Sequence, residues 1–248
     1  RGSFCSLDYA DGGAGEAFVG SRVTIDQLGF DKGDLAPTPK RDALKQARCP
    51  NCNGNLELKA PDAVKRVACP YCGALLDASN GELAFLQLLE KPPYEPILPL
   101  GSEGTLQKTK WTVLAFLIRS TNVEGTRYPW EEYLLWNQQA GFRWLMNSNG
   151  HWTFLTPIAA GDVGLAFRKA TWNGKGFKAY QSVYAVTDYV AGECYWQVSV
   201  GESARASEYV EPPESINSDE TEREVTFTHG VLLTADEVKQ GFNLKGPM

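Results

Sequence analysis

Histidine and methionine are scarce in this chain, with two of each among 248 residues. A hydrolytic triad would have to draw on His151 or His229, and no motif marks a serine or cysteine to go with either. Nucleophile-elbow, phosphate-cradling glycine-loop and histidine-rich ligand patterns are missing. Long apolar runs are missing too. The longest, residues 111–118, spans eight residues, well short of the ~20 that a membrane-spanning helix needs. Positive charge is in deficit, with 24 Lys and Arg against 30 Asp and Glu for a net charge of −6. That balance argues against broad nucleic-acid binding, whose affinity comes mostly from phosphate neutralisation. The chain opens Arg1-Gly2-Ser3 with no charged-then-apolar leader, and it reads as a piece of a longer protein.

What the chain does have is a cysteine pattern. Four of its six cysteines form two Cys-x-x-Cys pairs, Cys49/Cys52 and Cys69/Cys72, with sixteen residues between them. That spacing fits a four-cysteine zinc site. Pro50 and Pro70 follow the first cysteine of each pair, and Gly54 and Gly73 lie just beyond the second. Two tight knuckle turns aiming thiolates at one Zn2+ are expected, with short strands around a turn at Ala60-Pro61-Asp62. A redox Cys-x-x-Cys would need a thioredoxin-like setting, and two disulfides an oxidising compartment. Four thiolates leave no open coordination position, so the zinc is expected to be structural. Cys5 and Cys194 are left over and read as free thiols, which suits a reducing cytoplasm.

Five segments follow from composition. Residues 1–33 resemble the C-terminal tail of a preceding module like the one that ends this chain, because both close on strand, turn and a Thr-led helical turn. Residues 34–47 read as a linker and 48–80 as the zinc ribbon. The leucine spacing in 81–96 predicts a helical linker. Residues 97–248 hold all seven tryptophans, with turn signals every ten or so residues between strand-like runs at 111–118, 128–136, 142–146, 152–155, 177–180, 185–190 and 195–200. The expected fold is mainly β: an antiparallel β-barrel or compact β-sandwich behind a ribbon and a short helix. Local charge is uneven. Residues 35–76 carry seven Lys and Arg against three acids, whereas 211–224 carries six acids and one Arg.

Strand alternation puts Tyr128, Trp130, Glu132, Leu134 and Trp136 on one face. If that face is interior, Glu132 must be paired, hydrogen-bonded or shifted in pKa. Arg143, on the next strand, is the expected cross-strand partner. His151 follows a tight turn, and Glu193 falls on the face opposite Trp196 and is expected to be exposed. Trp130, Glu132, Tyr133, Arg143, His151, Trp152, Glu193 and Trp196 are the candidates for contact with a ligand or partner. Seven tryptophans are as readily a core as a binding surface.

The motifs Trp130-Glu-Glu-Tyr-Leu-Leu, Gly141-Phe-Arg-Trp-Leu, Gly150-His-Trp, Val190-Ala-Gly-Glu-Cys-Tyr-Trp-Gln-Val, Gly201-Glu and Tyr209-Val-Glu-Pro-Pro occur in order. Together they resemble the bacterial DUF4178 family over about residues 101–242. The resemblance implies a two-copy architecture with a Cys-x-x-Cys ribbon before each copy. Cys194 departs from it, standing where Phe or Leu is usual. Relatives are commonly encoded beside membrane-stress proteins, small membrane proteins and aminopropyltransferase-like enzymes. That implies an accessory role in an envelope-linked system and carries no catalytic residues. The leading expectation is a non-enzymatic, zinc-stabilised protein-interaction module, cytoplasmic and peripheral to the inner membrane, that docks protein partners at that surface. Two alternatives stand beside it. One is a small-ligand binder or enzyme with an aromatic-lined barrel site around Glu132; the other is nucleic-acid binding through the locally basic ribbon.

Overall fold

The computed structural model describes residues 3–8, 16–21, 46–80, 82–90, 95–222 and 224–245. The Thr-led helical turn expected within 1–33 lies outside them, as do residues 34–45 of the linker expected at 34–47. Strands β1 (Ser3–Asp8) and β2 (Glu16–Ser21) form an antiparallel pair. In the cysteine segment, β3 (Gln46–Arg48) pairs with β4 (Asn55–Glu57), and β5 (Arg66–Ala68) with β6 (Ala74–Asp77).

The helix expected within 81–96 gives way to a strand over β7 (Ala84–Leu88), which pairs back on β6. The Asp77 carboxylate accepts the Ser79 N–H at 2.8 Å and turns the chain on itself before a helix can start. The leucines that mimic a helical period are then split. Leu75 and Leu76 are buried on β6, while Leu86 and Leu88 stand exposed on β7.

Beyond β8 (Glu103–Leu106), eight strands close a barrel: β9 (Thr109–Val123), β10 (Thr126–Asn137), β11 (Gly141–Ser148), β12 (His151–Ile158), β15 (Lys175–Cys194), β16 (Ser203–Glu211), β17 (Glu214–Glu220) and β18 (Val225–Leu233). Around the barrel the order is β15, β16, β17, β18, β12, β11, β10, β9, and β9 then pairs with β15 to close the circle. The hairpin β13 (Gly164–Ala166) and β14 (Lys169–Trp172) attaches to the start of β15. Of the two architectures expected, the barrel is the one formed.

Strand β15 fuses the two runs expected at 177–180 and 185–190 into 20 residues, with bulges at Ala179/Gln181 and Thr187/Tyr189 that bend it around the barrel. The strand expected at 195–200 does not form. A turn held by the Ser199 N–H on the Glu202 carboxylate, with Gly201 at φ 86°, takes the chain into β16 instead.

The outer face of β9–β12 is covered. Trp111, Phe116, Tyr133, Leu135, Leu145 and Trp152 pack beneath Val238 and Phe242 at the C-terminal end. Helix α1 (Ala235–Gly241) is started by a capping box in which Thr234 and Glu237 satisfy each other's backbone N–H groups.

The cysteine segment joins the barrel through β5, which pairs with the last residues of β15. Gly192 sits at that junction with φ 85°, and a Cβ there would lie 2.0 Å from the Leu114 carbonyl oxygen. The next residue corrects an expectation. Glu193 is not exposed but 7% accessible. Its carboxylate accepts the Lys59 N–H at 2.8 Å and the Ala60 N–H at 3.0 Å, so it reaches from the barrel to the turn between the two cysteine pairs. Alternation along a regular strand misplaced it because the chain leaves β15 immediately afterwards.

Glu193→Ala leaves two backbone donors without an acceptor, and a loss of about 2–4 kcal/mol in urea unfolding is expected. Burial raises the Glu193 pKa, with the Ala60 and Lys59 donors pulling the other way. The folded chain therefore binds this proton at higher pH than the unfolded chain, and stability from this site rises as pH falls through the raised value. The gap between parent and Glu193→Ala is expected to widen from neutral pH towards the ordinary carboxylate range; a gap that narrows would refute this assignment.

Candidate functional site: the barrel interior and the cysteine cluster

The barrel is hollow. Its interior is a cavity of about 1180 Å³ to which all eight strands contribute side chains. The face of β10 that carries Tyr128, Trp130 and Glu132 points into it, so the interior alternative for Glu132 is the one realised. Beside Glu132 on β9, Leu117 and then Arg119 face the same way, since Leu117 pairs with Glu132 and Arg119 with Trp130.

Arg119 is the hub. Its Nη1 lies 3.1 Å from Glu132 Oε1, and its Nη2 lies 2.9 Å from Asp219 Oδ1 on β17. The Trp130 indole N–H donates to the same Glu132 oxygen at 2.7 Å, and the guanidinium stands 5.7 Å from the Trp130 ring centre. Burial would lower the Arg119 pKa, but Glu132 and Asp219 outweigh it and hold the guanidinium above its ordinary value. Its Nε is buried with no hydrogen-bond partner among the described residues. Two further interior carboxylates, Glu202 and Glu208, have their pKa raised by burial, with Ser199 and Gln181 respectively pulling them down.

The expected Glu132–Arg143 pair is not formed. Arg143 pairs in register with Leu135 on the opposite face, where its guanidinium donates to the Ala140 and Phe142 carbonyls and stands 5.6 Å from the Trp111 ring centre. Tyr133 and Trp152 are also on that outer, covered face, fully buried. The Tyr133 hydroxyl donates to Glu131 at 2.8 Å and accepts the Ile97 N–H. Burial, then the Glu131 charge, pushes its pKa well above the usual phenol value. His151 is exposed at the start of β12, yet it lines the cavity. Trp196 lines it too, meeting Trp144 edge-on at 5.1 Å. The structure thus brings Trp130, Glu132, His151 and Trp196 to one cavity and places Tyr133, Arg143, Trp152 and Glu193 elsewhere. Arg119 and Asp219 were missed. Arg119 directly follows the eight-residue apolar run, in phase with Leu117, and continuing the strand alternation one step would have found it.

The four paired cysteines form the second site. Cys49 Sγ lies 3.8 Å from Cys72 Sγ, Cys52 Sγ lies 3.8 Å from Cys69 Sγ, and all four sulfurs are within 4.8 Å of one another. Both knuckles have the same backbone. The Asn53 N–H donates to Cys49 O and the Cys49 N–H to Gly54 O, just as the Gly73 N–H donates to Cys69 O and the Cys69 N–H to Ala74 O. The positive φ of the first knuckle falls on Asn53 at 60°, where Gly73 at 71° serves the second. Gly54 has another task, because a Cβ on it would meet the Tyr71 ring at 2.4 Å. The Asn51 amide and the Ala74 N–H lower the Cys72 pKa to about 6. Tetrahedral Zn–S bonds of ~2.3 Å put sulfurs about 3.8 Å apart, so this cluster is able to chelate a metal ion.

The cysteine segment and the cavity share a wall. Leu117, Trp144, Tyr195 and Trp196 line the interior, and the same side chains pack with Leu56, Val64, Val67, Leu75 and Leu76 of the cysteine segment. Lys65 of that segment reaches the cavity itself. Among the described residues no helix is long and apolar enough to cross a membrane.

A family model described as "Domain of unknown function (DUF4178)" matches residues 99–234. No curated protein and no solved structure matches the chain.

Arg119→Met should strand Glu132 and part of Asp219 without a cation, costing about 3 kcal/mol. The double variant Arg119→Met with Glu132→Gln should recover a large part of that loss in a denaturation cycle. Additive losses would show that the two side chains are not coupled.

Proposed function

The chain belongs to the DUF4178 family, and from its hollow barrel we propose a binding module for one small amphipathic molecule, braced by a four-cysteine zinc ribbon. The cavity of about 1180 Å³ carries this reading. An eight-stranded barrel is at the size where side chains either fill the interior or leave room for one ligand. Here Trp130, Trp144 and Trp196 offer aromatic walls for an apolar body, and the Arg119 network offers a fixed polar end. Five carboxylates (Glu132, Glu202, Glu208, Asp219 and Glu224) face Lys65 and Arg119 in the lining. That balance favours a neutral or cationic ligand over an anion. The reading is of binding without catalysis, since the Arg119 charge is already engaged by two carboxylates.

Cys49, Cys52, Cys69 and Cys72 would hold Zn2+, which supplies a structural cross-link with no open position for chemistry. Metal binding of this kind is worth on the order of 10 kcal/mol in small units.

A second reading, an accessory module that docks protein partners of an envelope-linked system, has its own support. Among the described residues strand β7 ends the strand order, and Phe85, Leu86 and Leu88 on it are exposed, Leu88 by 61%. Unpaired edges of this kind accept an added strand from a partner.

The ligand reading predicts that the neutral probe Nile red is bound with a blue shift. Ala206→Trp, which fills the cavity, should weaken that binding by about tenfold or more. Unchanged binding in a folded Ala206→Trp variant would sink it. The zinc reading predicts about one Zn2+ per chain by elemental analysis, and unfolding of the cysteine segment on strong chelation. Metal-free protein with native stability would remove it.

A further inference from the structure

In this acidic chain one local stretch is basic. Between Asp162 and Asp188 lie Arg168, Lys169, Lys175 and Lys178, and no carboxylate. The stretch forms the β13–β14 hairpin and the first part of β15. Ala166 pairs with Lys169, so the hairpin turns on Phe167 and Arg168 alone. Arg168 adopts a φ of 56°, the left-handed region that favours glycine.

Phe167 at that tip is 94% exposed, and Leu165 beside it is 57% exposed. Every residue from 164 to 169 is exposed. Lys169 stands directly opposite Lys178 across the β14–β15 register, a like-charge pairing that repels. Lys175 is neutralised by Glu214 at 2.7 Å. Arg168, Lys169 and Lys178 make no ion pair among the described residues. The hairpin therefore presents an apolar tip with three uncompensated cations just behind it.

We propose that the β13–β14 hairpin docks this domain on an anionic lipid surface. Phe167 and Leu165 enter the boundary between headgroups and acyl chains, while Arg168, Lys169 and Lys178 meet lipid phosphates. Apolar insertion and basic attraction are each weak alone and act together in peripheral binding. The lipid phosphates also relieve the Lys169–Lys178 repulsion. A bilayer fits better than a nucleic acid, because an aliphatic residue shares the tip with the aromatic one and three cations neutralise few phosphates. Tyr180, two residues beyond Lys178, is 68% exposed and lines the barrel cavity, so the cavity reaches the surface near the hairpin.

The test is co-sedimentation of the whole chain with phosphatidylcholine vesicles, with and without phosphatidylglycerol. Binding is expected only to the anionic vesicles and should weaken as salt is raised. Phe167→Ser should reduce partitioning by about tenfold. Lys169→Glu combined with Lys178→Glu should abolish the dependence on phosphatidylglycerol. These side chains are exposed, and near-UV circular dichroism confirms that the variants keep their fold. Absence of binding to anionic vesicles overturns the proposal, as does binding that Phe167→Ser leaves unchanged. Capture of a single-stranded oligonucleotide through the same lysines, with vesicles left unbound, would assign the hairpin to nucleic acid instead. The ligand reading stands or falls separately, on probe binding in the Ala206→Trp variant.

Discussion

Strand β15 has to satisfy two partners at one end, and the rest of the architecture follows from that. Its residues 187–192 pair with β9 and close the barrel, while 192–194 pair with β5 and fasten the cysteine segment. The strands come close enough at Gly192 that no side chain fits, and the following carboxylate, Glu193, ties off backbone donors that the turn at Lys59–Ala60 cannot satisfy itself. A buried carboxylate that accepts only backbone N–H groups is a demanding fastening, because its desolvation must be offset by those few bonds. It fixes where the cysteine segment sits against the barrel wall.

The interior has a different logic. Eight strands whose inward residues were all large and apolar would pack solid. Here the inward series on β9 runs from Leu117 through Arg119 to Thr121, and on β16 through Ala204 and Ala206. Small and polar side chains at these positions keep the space open. One buried guanidinium then organises the charges, holding Glu132 and Asp219 from opposite parts of the wall. Such an ion network contributes little net stability against well-packed hydrocarbon. Its presence fits a wall that shapes a polar cavity rather than one selected for stability alone.

The sequence was legible where chemistry is local. The cysteine spacing, the strands at 111–118, 128–136, 142–146 and 152–155, and the face that Glu132 shares with Tyr128 and Trp130 could be read from pattern, because each depends on a few neighbouring residues; that this face points inward could not. What could not be read depends on residues far apart in the chain. Glu193 is buried by a turn 134 residues earlier. The cation for Glu132 comes from β9 and shares itself with Asp219, a hundred residues on. Arg143 was the natural guess from a two-strand view, but its register with Leu135 puts it outside the barrel. The leucine period in 81–96 misled for another reason. Exposed leucines on an edge strand carry no information about a buried face, so periodicity had nothing to report there.

The two sites are more tightly connected than their separation in sequence implies. Trp144, Tyr195 and Trp196 form part of the cavity wall and at the same time rest against the core of the cysteine segment. Tyr195 also stacks on Phe142 at 4.4 Å, so the aromatic wall is continuous from the barrel to the segment. A segment of that size cannot hold its own shape through apolar burial. With a metal ion on its four cysteines the segment would gain a cross-link, and the wall it supports would share that stiffening. A ligand seated against Trp144 and Trp196 would therefore be in contact with the same packed layer that a metal ion on the four cysteines would hold in place. The ion's contribution to binding would then come through the rigidity of that layer, without the ion touching the ligand.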